Sequence, residues 1–306
     1  MKTEKHICVG AGLICLDILI RGVDNDNPVS FSVGGTCGNV MTIMSHLGWD
    51  AYPVARLDNS HHTDLLMKDM QSHGVHVNHI IAGKGKTPVI IQRNIIDKDG
   101  LPIHRFEFKG SNGRMFLEFS PITLVQARNI INDIDFVPDV FFFDRVSPAF
   151  ILLAKEFKTR GSLIYFEPSC KTTVPHFGDC VSLADIIKFS DQRIPDTSYF
   201  DSLPNTIIIQ TLGDKGLRFR YNSRWIDLSP VHNQNVIDTV GAGDWTSAAF
   251  IYQLGNYSHQ QIMESITIDD LKSILRKAQA IGSMSCSYDG ARGMMKIPFP
   301  SIKKSL

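Results

Sequence analysis

The chain has 306 residues, of which 43% are hydrophobic and 20% are charged, a composition typical of a soluble globular protein with a sizeable core. Its 31 Lys and Arg balance its 31 Asp and Glu, so the formal net charge is zero. A chain without excess positive charge is not expected to bind nucleic acid or a membrane as its main function. The unevenly spaced cysteines and the polar breaks in the first apolar stretch favour a cytoplasmic location.

Alternating short strands and helices predict a doubly wound α/β fold with a mainly parallel sheet. Apolar runs predict buried strands at 6–13, 140–143, 162–166 and 206–211. A helix is predicted at 36–47, because its apolar residues recur at helical spacing and Gly48 provides a stop signal. The apolar segment 245–254 predicts a second helix.

Two segments depart from this α/β pattern and have the residue pattern of antiparallel strands. Alternating residues on either side of Asp99-Gly100 predict a β-hairpin over 87–109, and a further strand is predicted near 29–33. Together, insertions at about 18–33 and 87–109 are expected to form a small antiparallel layer that serves as a lid or a dimerisation surface. Since no linker composition is visible, residues 1–306 are expected to form one domain.

The most informative stretch is Asp238-Thr239-Val240-Gly241-Ala242-Gly243-Asp244. Its glycines allow close approach of a ligand to the backbone, and the following helix directs N–H groups to the same point, which predicts an anion-binding loop. Asp244 would accept a proton from an attacking hydroxyl, and the helix dipole is expected to keep its carboxylate ionised. Asp238 would either hold a monovalent cation or orient the loop. The alternative interpretation is a plain helix start with an acidic first turn.

This stretch resembles the D-T-x-G-A-G-D signature of the ribokinase family, the PfkB-type carbohydrate kinases, and further motifs follow in the family's order. The resemblance implies a three-layer α/β/α sandwich with a small β-sheet lid. It also implies ATP-dependent phosphorylation of a hydroxyl on a small sugar-like substrate, with catalysis by Asp244 and the loop Gly241, Ala242 and Gly243.

The early Gly-Gly-x-x-x-Asn pattern of the family is matched by Gly34, Gly35 and Asn39, and its substrate-gripping acid by Asp17. These four residues are the candidate substrate site, since Asp17 and Asn39 can bond hydroxyl groups. Asp17 alone would also suit a turn at the end of a strand. In the lid, the stretch around Lys109 loosely resembles ketodeoxygluconate kinases, which have Arg at this position. Lys109 is therefore a candidate to bind an anionic group on the substrate.

Nucleotide contacts are expected at two turns. Thr211, Gly213 and Gly216 match the family's T-x-G-x-x-G turn beside ATP, and Gly290-Ala291 resembles its second turn near the nucleotide and cation sites. The cofactors implied are ATP and Mg2+, with K+ as a candidate monovalent ion. Each turn could equally be an ordinary β-turn that needs glycine.

Some positions depart from the family pattern. Ser190 and Arg193 occupy the Asn and Glu places of the N-x-x-E element that supports magnesium, so Asp191 or Glu167 would have to act through metal-bound water, or serve only as turn residues. The G-D-D element is replaced by Leu57-Asp58-Asn59-Ser60. Trp245, where the family usually has a small residue, is expected to alter the floor of the pocket.

Several alternatives remain open. A non-catalytic sugar or nucleotide sensor would explain the altered metal element, and a nucleoside kinase would stack an aromatic lid residue on a base. A homodimer through the β-lid is expected. The pair Gly10 and Gly12 resembles a dinucleotide loop but lacks its third glycine. The histidines between 61 and 79 are expected on a helix surface, since they lack metal-site spacing.

Overall fold

A computed structural model describes residues 5–21, 29–96, 102–109, 113, 115–116, 118–169 and 172–306. The strands of this part of the chain are, in order, β1 (Ile7–Ala11), β2 (Cys15–Arg21), β3 (Val29–Gly34), β4 (Asp50–Arg56), β5 (Ile80–Ile81), β6 (Val89–Ile96), β7 (Pro102–Glu107), β8 (Val140–Phe143), β9 (Leu163–Phe166), β10 (Ile186–Ser190), β11 (Ile207–Thr211), β12 (Leu217–Tyr221) and β13 (Arg224–Leu228).

The α-helices of the same part of the chain are α1 (Thr36–His46), α2 (His61–Ser72), α3 (Leu124–Asp133), α4 (Pro148–Arg160), α5 (Phe177–Leu183), α6 (Ala242–Leu254), α7 (Ile268–Ser285) and α8 (Phe299–Ile302). Among the described residues, no helix is both long and apolar enough to cross a membrane.

Nine strands form the main sheet, in the order β13-β12-β11-β10-β9-β8-β1-β4-β5. The seven strands from β11 to β5 run parallel to their neighbours, while β12 and β13 are antiparallel at one edge. The α/β architecture with a mainly parallel central sheet is confirmed. The predicted strands and helices match the observed ones, with differences of at most three residues at their ends.

Side chains that alternate along the strands form a core on each face of the main sheet. Phe142 packs in one core with α1, α6 and α7, whereas its neighbours Phe141 and Phe143 pack in the other with α3, α4 and α5. All three are fully buried. Because successive side chains of a strand point to opposite faces, the same strands contribute to the cores beneath both helical layers. The predicted three layers are observed.

A separate sheet of four strands, in the order β3-β2-β6-β7, accounts for the segments predicted as lid insertions. The prediction of an antiparallel layer was wrong in one respect, because its central pair β2 and β6 is parallel. The long connection through α1, β4 and α2 returns the chain to the same end of the sheet, as a parallel pair requires. The predicted Asp99-Gly100 turn lies outside the described residues.

Candidate active site

A cavity of about 810 Å³ lies between the small sheet and the carboxyl ends of β9, β10 and β11. Glu167, Asp191 and Leu212 follow the last residues of these three strands. Ligands in open parallel sheets bind at this edge, where loops leave the strand ends. Most of the predicted site residues line the cavity: Asp17, Gly35, Asn39, Glu167, Asp191, Thr211, Gly213, Gly216, Gly241, Ala242, Gly243 and Asp244.

The anion-binding loop leads directly into α6. Gly241 is the residue before the helix and has φ of 80°, in the left-handed region, so the chain turns sharply there. A Cβ atom at Gly241 would lie 2.5 Å from the Cα of Ala291, so the loop also needs glycine for packing. The first N–H groups of α6 have no partners within the helix and lie at the cavity, where an anion would bind.

Replacing Gly241 with Ala is expected to destabilise the protein in two ways. The left-handed conformation alone costs about 1–2 kcal/mol for a residue with Cβ. Crowding against Ala291 adds about 1–3 kcal/mol. The free energy of unfolding from urea denaturation measures the sum. Gly161→Ala is the matched control, since Gly161 also has positive φ but open space around it; equal losses in both variants would contradict the packing argument.

Asp244 lies half-buried in the first turn of α6, where its Oδ2 accepts a hydrogen bond of 2.7 Å from Asn39 Nδ2. Burial, reinforced by the negative charge of Glu167, raises the pKa of Asp244 to about 7, although Asn39, Lys188 and Arg193 oppose the shift. The expected full ionisation of Asp244 near neutral pH is therefore not supported, because burial and the charge of Glu167 outweigh the groups that favour the carboxylate. Near neutral pH Asp244 exchanges a proton readily, as a general base requires.

The substrate end of the cavity combines Asp17 with Asn39. Asn39 is buried, and its Oδ1 has no hydrogen-bond partner among the described residues, so this atom is free to accept a bond from a ligand hydroxyl. Burial raises the pKa of Asp17 to about 6, against a hydrogen bond from Cys15 and the charge of Arg292. Gly34 does not line the cavity, but a Cβ there would collide with the Asp17 carboxylate, so it provides the room for Asp17.

The opposite end of the cavity is lined by the turn from Thr211 to Gly216 and by α7. Gly216 has φ of 99°, and a Cβ there would lie 2.4 Å from the carbonyl oxygen of Leu228. Gln279 of α7 was not predicted, yet it faces this end with a buried Oε1 that has no partner in the described structure. An unpartnered amide oxygen in a cavity is a ready acceptor for a ligand N–H group.

The Gly290-Ala291 turn lies behind the anion loop and is not among the residues lining the cavity. Asp238 accepts hydrogen bonds of 2.9 Å from the N–H groups of Val240 and Gly290, so it joins the loop to this turn. Of its two predicted roles, this geometry favours orientation of the loop. Contact of Gly290 and Ala291 with a nucleotide, and of Asp238 with a cation, stay predictions.

Trp245 does not form the floor of the pocket. It is fully buried, and its Nε1 donates a hydrogen bond of 2.9 Å to the carbonyl oxygen of Ala291. The indole thus holds the 290–291 turn against the loop from the side opposite the cavity. Lys109 is exposed and pairs its backbone with Met115 in an isolated bridge, and it does not line the cavity.

Lys188 is the most consequential residue that sequence analysis missed. Its Nζ donates hydrogen bonds of 2.7 Å to Glu167 Oε1 and 3.1 Å to the carbonyl oxygen of Gly243, and its side chain is 3% exposed. Glu167 Oε2 accepts a 2.5 Å hydrogen bond from Ser247 of α6. This network, which we call the Lys188 cluster (Glu167, Lys188 and Ser247), ties β9 and β10 to the start of α6. The sequence does contain a signal for this role, since Lys188 is the single charged residue in the apolar run of β10.

The carboxylates named for magnesium fit a protein-bound metal poorly. Both oxygens of Glu167 accept hydrogen bonds within the Lys188 cluster, and the ammonium of Lys188 compensates its charge. Glu167 and Asp191 both line the cavity, but only Asp191 does so without an ion pair or side-chain hydrogen bond within the described part of the chain. Over the described ranges, no group of three or more His, Cys, Asp or Glu is placed to hold a metal ion.

The strand order, the separate small sheet and the cavity between them define a ribokinase-like fold. The structure is similar to fructokinase with bound ATP from Xylella fastidiosa (TM-score 0.73, 16% identity, covering 99% of this chain and 98% of that one). It is also similar to Arabidopsis thaliana ribokinase complexed with ribose and ATP (TM-score 0.68, 18% identity, 99% of both chains) and to Burkholderia thailandensis nucleoside kinase in complex with inosine (TM-score 0.67, 14% identity, 98% of both chains). At these identities the likeness establishes the fold.

At the sequence level, residues 200–298 match the pfkB family carbohydrate kinases. Probable fructokinase-5 from Arabidopsis thaliana is 25% identical over 150 residues, and the match spans 44% of this chain and 44% of that relative's length. The resemblance to PfkB-type carbohydrate kinases predicted from the sequence is thereby confirmed.

Proposed function

We propose that the protein is an ATP-dependent kinase that phosphorylates a hydroxyl of a small sugar-like molecule. The observation that carries the proposal is the position of Asp244, between the N–H groups of the anion loop and the substrate-end residues Asn39 and Asp17. A carboxylate that is held beside an anion site, with hydroxyl-binding groups on its other side, suits phosphoryl transfer to an alcohol.

In the proposed reaction, Asp17 and the free Oδ1 of Asn39 orient the hydroxyl groups of the substrate. The reacting oxygen forms a bond to the γ-phosphorus of ATP as the bond from that phosphorus to the bridging oxygen of ADP breaks. The hydroxyl proton passes to the Asp244 carboxylate. The N–H groups at the start of α6 stabilise the negative charge on the transferring group, and ADP leaves from the end that Thr211 and Gly216 border.

We propose a sugar, and not a nucleoside, as the substrate. The described residues of the small sheet that line the cavity are Asp17 and Ile90, and neither can stack on a base. Their combination of one carboxylate and one aliphatic side chain suits a polyhydroxylated molecule with an apolar face.

We also propose that this sheet mediates the predicted dimer, since Val29 and Phe31 of β3 are each 48% exposed on one face.

The proposal is tested by measuring ADP formation with a panel of pentoses, hexoses, sugar acids and nucleosides, and by identifying the phosphorylated product by mass spectrometry. A phosphorylated sugar is the expected result. Binding of ATP and a sugar in calorimetry without any product would overturn the proposal in favour of the non-catalytic sensor. If only nucleosides gave a phosphorylated product, the protein would be a nucleoside kinase and the proposed sugar substrate would be wrong.

The pH dependence follows from the site. Because the pKa of Asp244 is about 7, turnover is expected to fall as the pH drops below 7, approaching tenfold per pH unit as the base becomes protonated. Protonation of Asp17, with its pKa of about 6, should then weaken substrate binding. Steady-state kinetics from acid to alkaline pH measure both effects, and a profile that stays flat from pH 8 to 5 would contradict the role of Asp244.

A further inference from the structure

The cations Lys188 and Arg193 and the carboxylate of Glu167 line the cavity near Asp244. Lys188 and Arg193 both line it, and the positive charges of both act on Asp244. Glu167 also lines it, but its charge is balanced by Lys188 at 2.7 Å. Asp191 and Asp244 also line this cavity, so its charge is mixed, but no three His, Cys, Asp or Glu side chains of the described residues are placed together to hold a metal ion.

Lys188 retains bonding capacity toward the cavity. An ammonium group carries three N–H bonds, and those of Lys188 are directed to Glu167 and to the carbonyl oxygen of Gly243, which leaves one. A Cβ on Gly243 would lie 3.7 Å from this Nζ, so the ammonium lies directly against the anion loop. A phosphate oxygen bound by the loop would be a natural third partner.

Arg193 complements Lys188 from the segment that follows β10. Its side chain is exposed and lines the cavity, and it forms no ion pair with any other residue that the structure describes. Its guanidinium can bind two phosphate oxygens at once, a geometry that a lysine cannot provide. The two residues thus offer a phosphate a buried ammonium group against the anion loop and an exposed guanidinium group in the same cavity.

We propose that Lys188 and Arg193 bind the terminal phosphates of the nucleotide directly, so that the protein binds ATP without a divalent metal held by its own carboxylates. The inference rests on the proposed function for the location of the triphosphate. A divalent ion that accompanies ATP is then held by phosphate oxygens and water. ATP that lacks such an ion would still have its terminal phosphates bound by these two side chains.

Calorimetry with a non-hydrolysable ATP analogue, in EDTA or in excess Mg2+, tests the proposal. We expect the two Kd values to agree within about threefold, a difference under about 1 kcal/mol. Arg193→Gln should weaken binding in EDTA by about tenfold, the loss expected for a charged hydrogen bond. Arg128→Gln, an exposed substitution on α3 away from the cavity, is the matched control and should bind as the unmodified protein does.

A further variant sharpens the test. Arg193→Glu places a carboxylate beside the triphosphate, so binding in EDTA should be lost and restored by Mg2+. Loss of binding by the unmodified protein in EDTA would overturn the proposal, as would Arg193→Gln binding as tightly as the control. No sugar is needed in these measurements. A failure here therefore differs from a failure of the kinase proposal, which appears as an absence of phosphorylated product.

Discussion

Asp244→Asn is expected to lower kcat by about a thousandfold, the contribution of a well-placed general base. Asn keeps the size of the side chain and retains an oxygen that accepts the hydrogen bond from Asn39, but it cannot take the proton of the substrate hydroxyl. The N–H groups at the start of α6 are unchanged, so ATP binding should be retained. Steady-state kinetics and calorimetry on one preparation measure the two effects.

Two controls separate loss of chemistry from loss of structure. Asp64→Asn makes the same chemical change in the first turn of α2, at an exposed residue that does not line the cavity, and it should leave kcat within a few-fold of the unmodified protein. The stability of Asp244→Asn should equal or exceed that of the unmodified protein near neutral pH, because the amide removes a poorly solvated charge beside Glu167. A kcat within about tenfold of the unmodified value would exclude Asp244 as the base.

The parts of the site that were predictable from sequence are those whose geometry is local. The turn at Gly241 and the helix after it follow from glycine placement and apolar spacing within one stretch of chain. Asp17 and Asn39 entered through the resemblance, and the structure brings both to the cavity. Which glycines face a ligand was harder to predict. Gly12 resembles part of a dinucleotide loop, but it leaves room for the buried Asp144 carboxylate, whose Oδ1 accepts a hydrogen bond from Leu13.

The parts that were missed depend on distant residues. Tyr165 pairs with Ile186 and Phe166 with Ile187 in the register of β9 and β10, so the next position along each strand brings Glu167 beside Lys188. Sequence alone does not fix which strands are neighbours or in what register. The pKa of Asp244 was misjudged for the same reason, since burial and the charge of Glu167 come from other parts of the chain.

Lys188→Met is expected to lower the free energy of unfolding by about 3–5 kcal/mol, because it leaves the buried carboxylate of Glu167 without a compensating charge. The double variant Glu167→Gln with Lys188→Met removes both charges, so it should recover most of that loss. Urea denaturation of the two variants measures the difference. Lys272→Met, which breaks the exposed pair with Asp269, is the control and should cost less than about 1 kcal/mol.

The same pair of variants separates the structural role of Lys188 from its proposed role toward phosphate. If the double variant regains stability yet binds the ATP analogue weakly in EDTA, then Lys188 serves the ligand as well as the fold. If it regains both, the pair is structural and the phosphate contact is wrong. If the single variant is as stable as the control, the ion pair does not compensate Glu167 in the way that the 2.7 Å contact and the 3% and 7% side-chain exposures indicate. Removing Lys188 alone leaves the Glu167 carboxylate buried and unpaired, which costs more free energy than the apolar packing of a methionine returns.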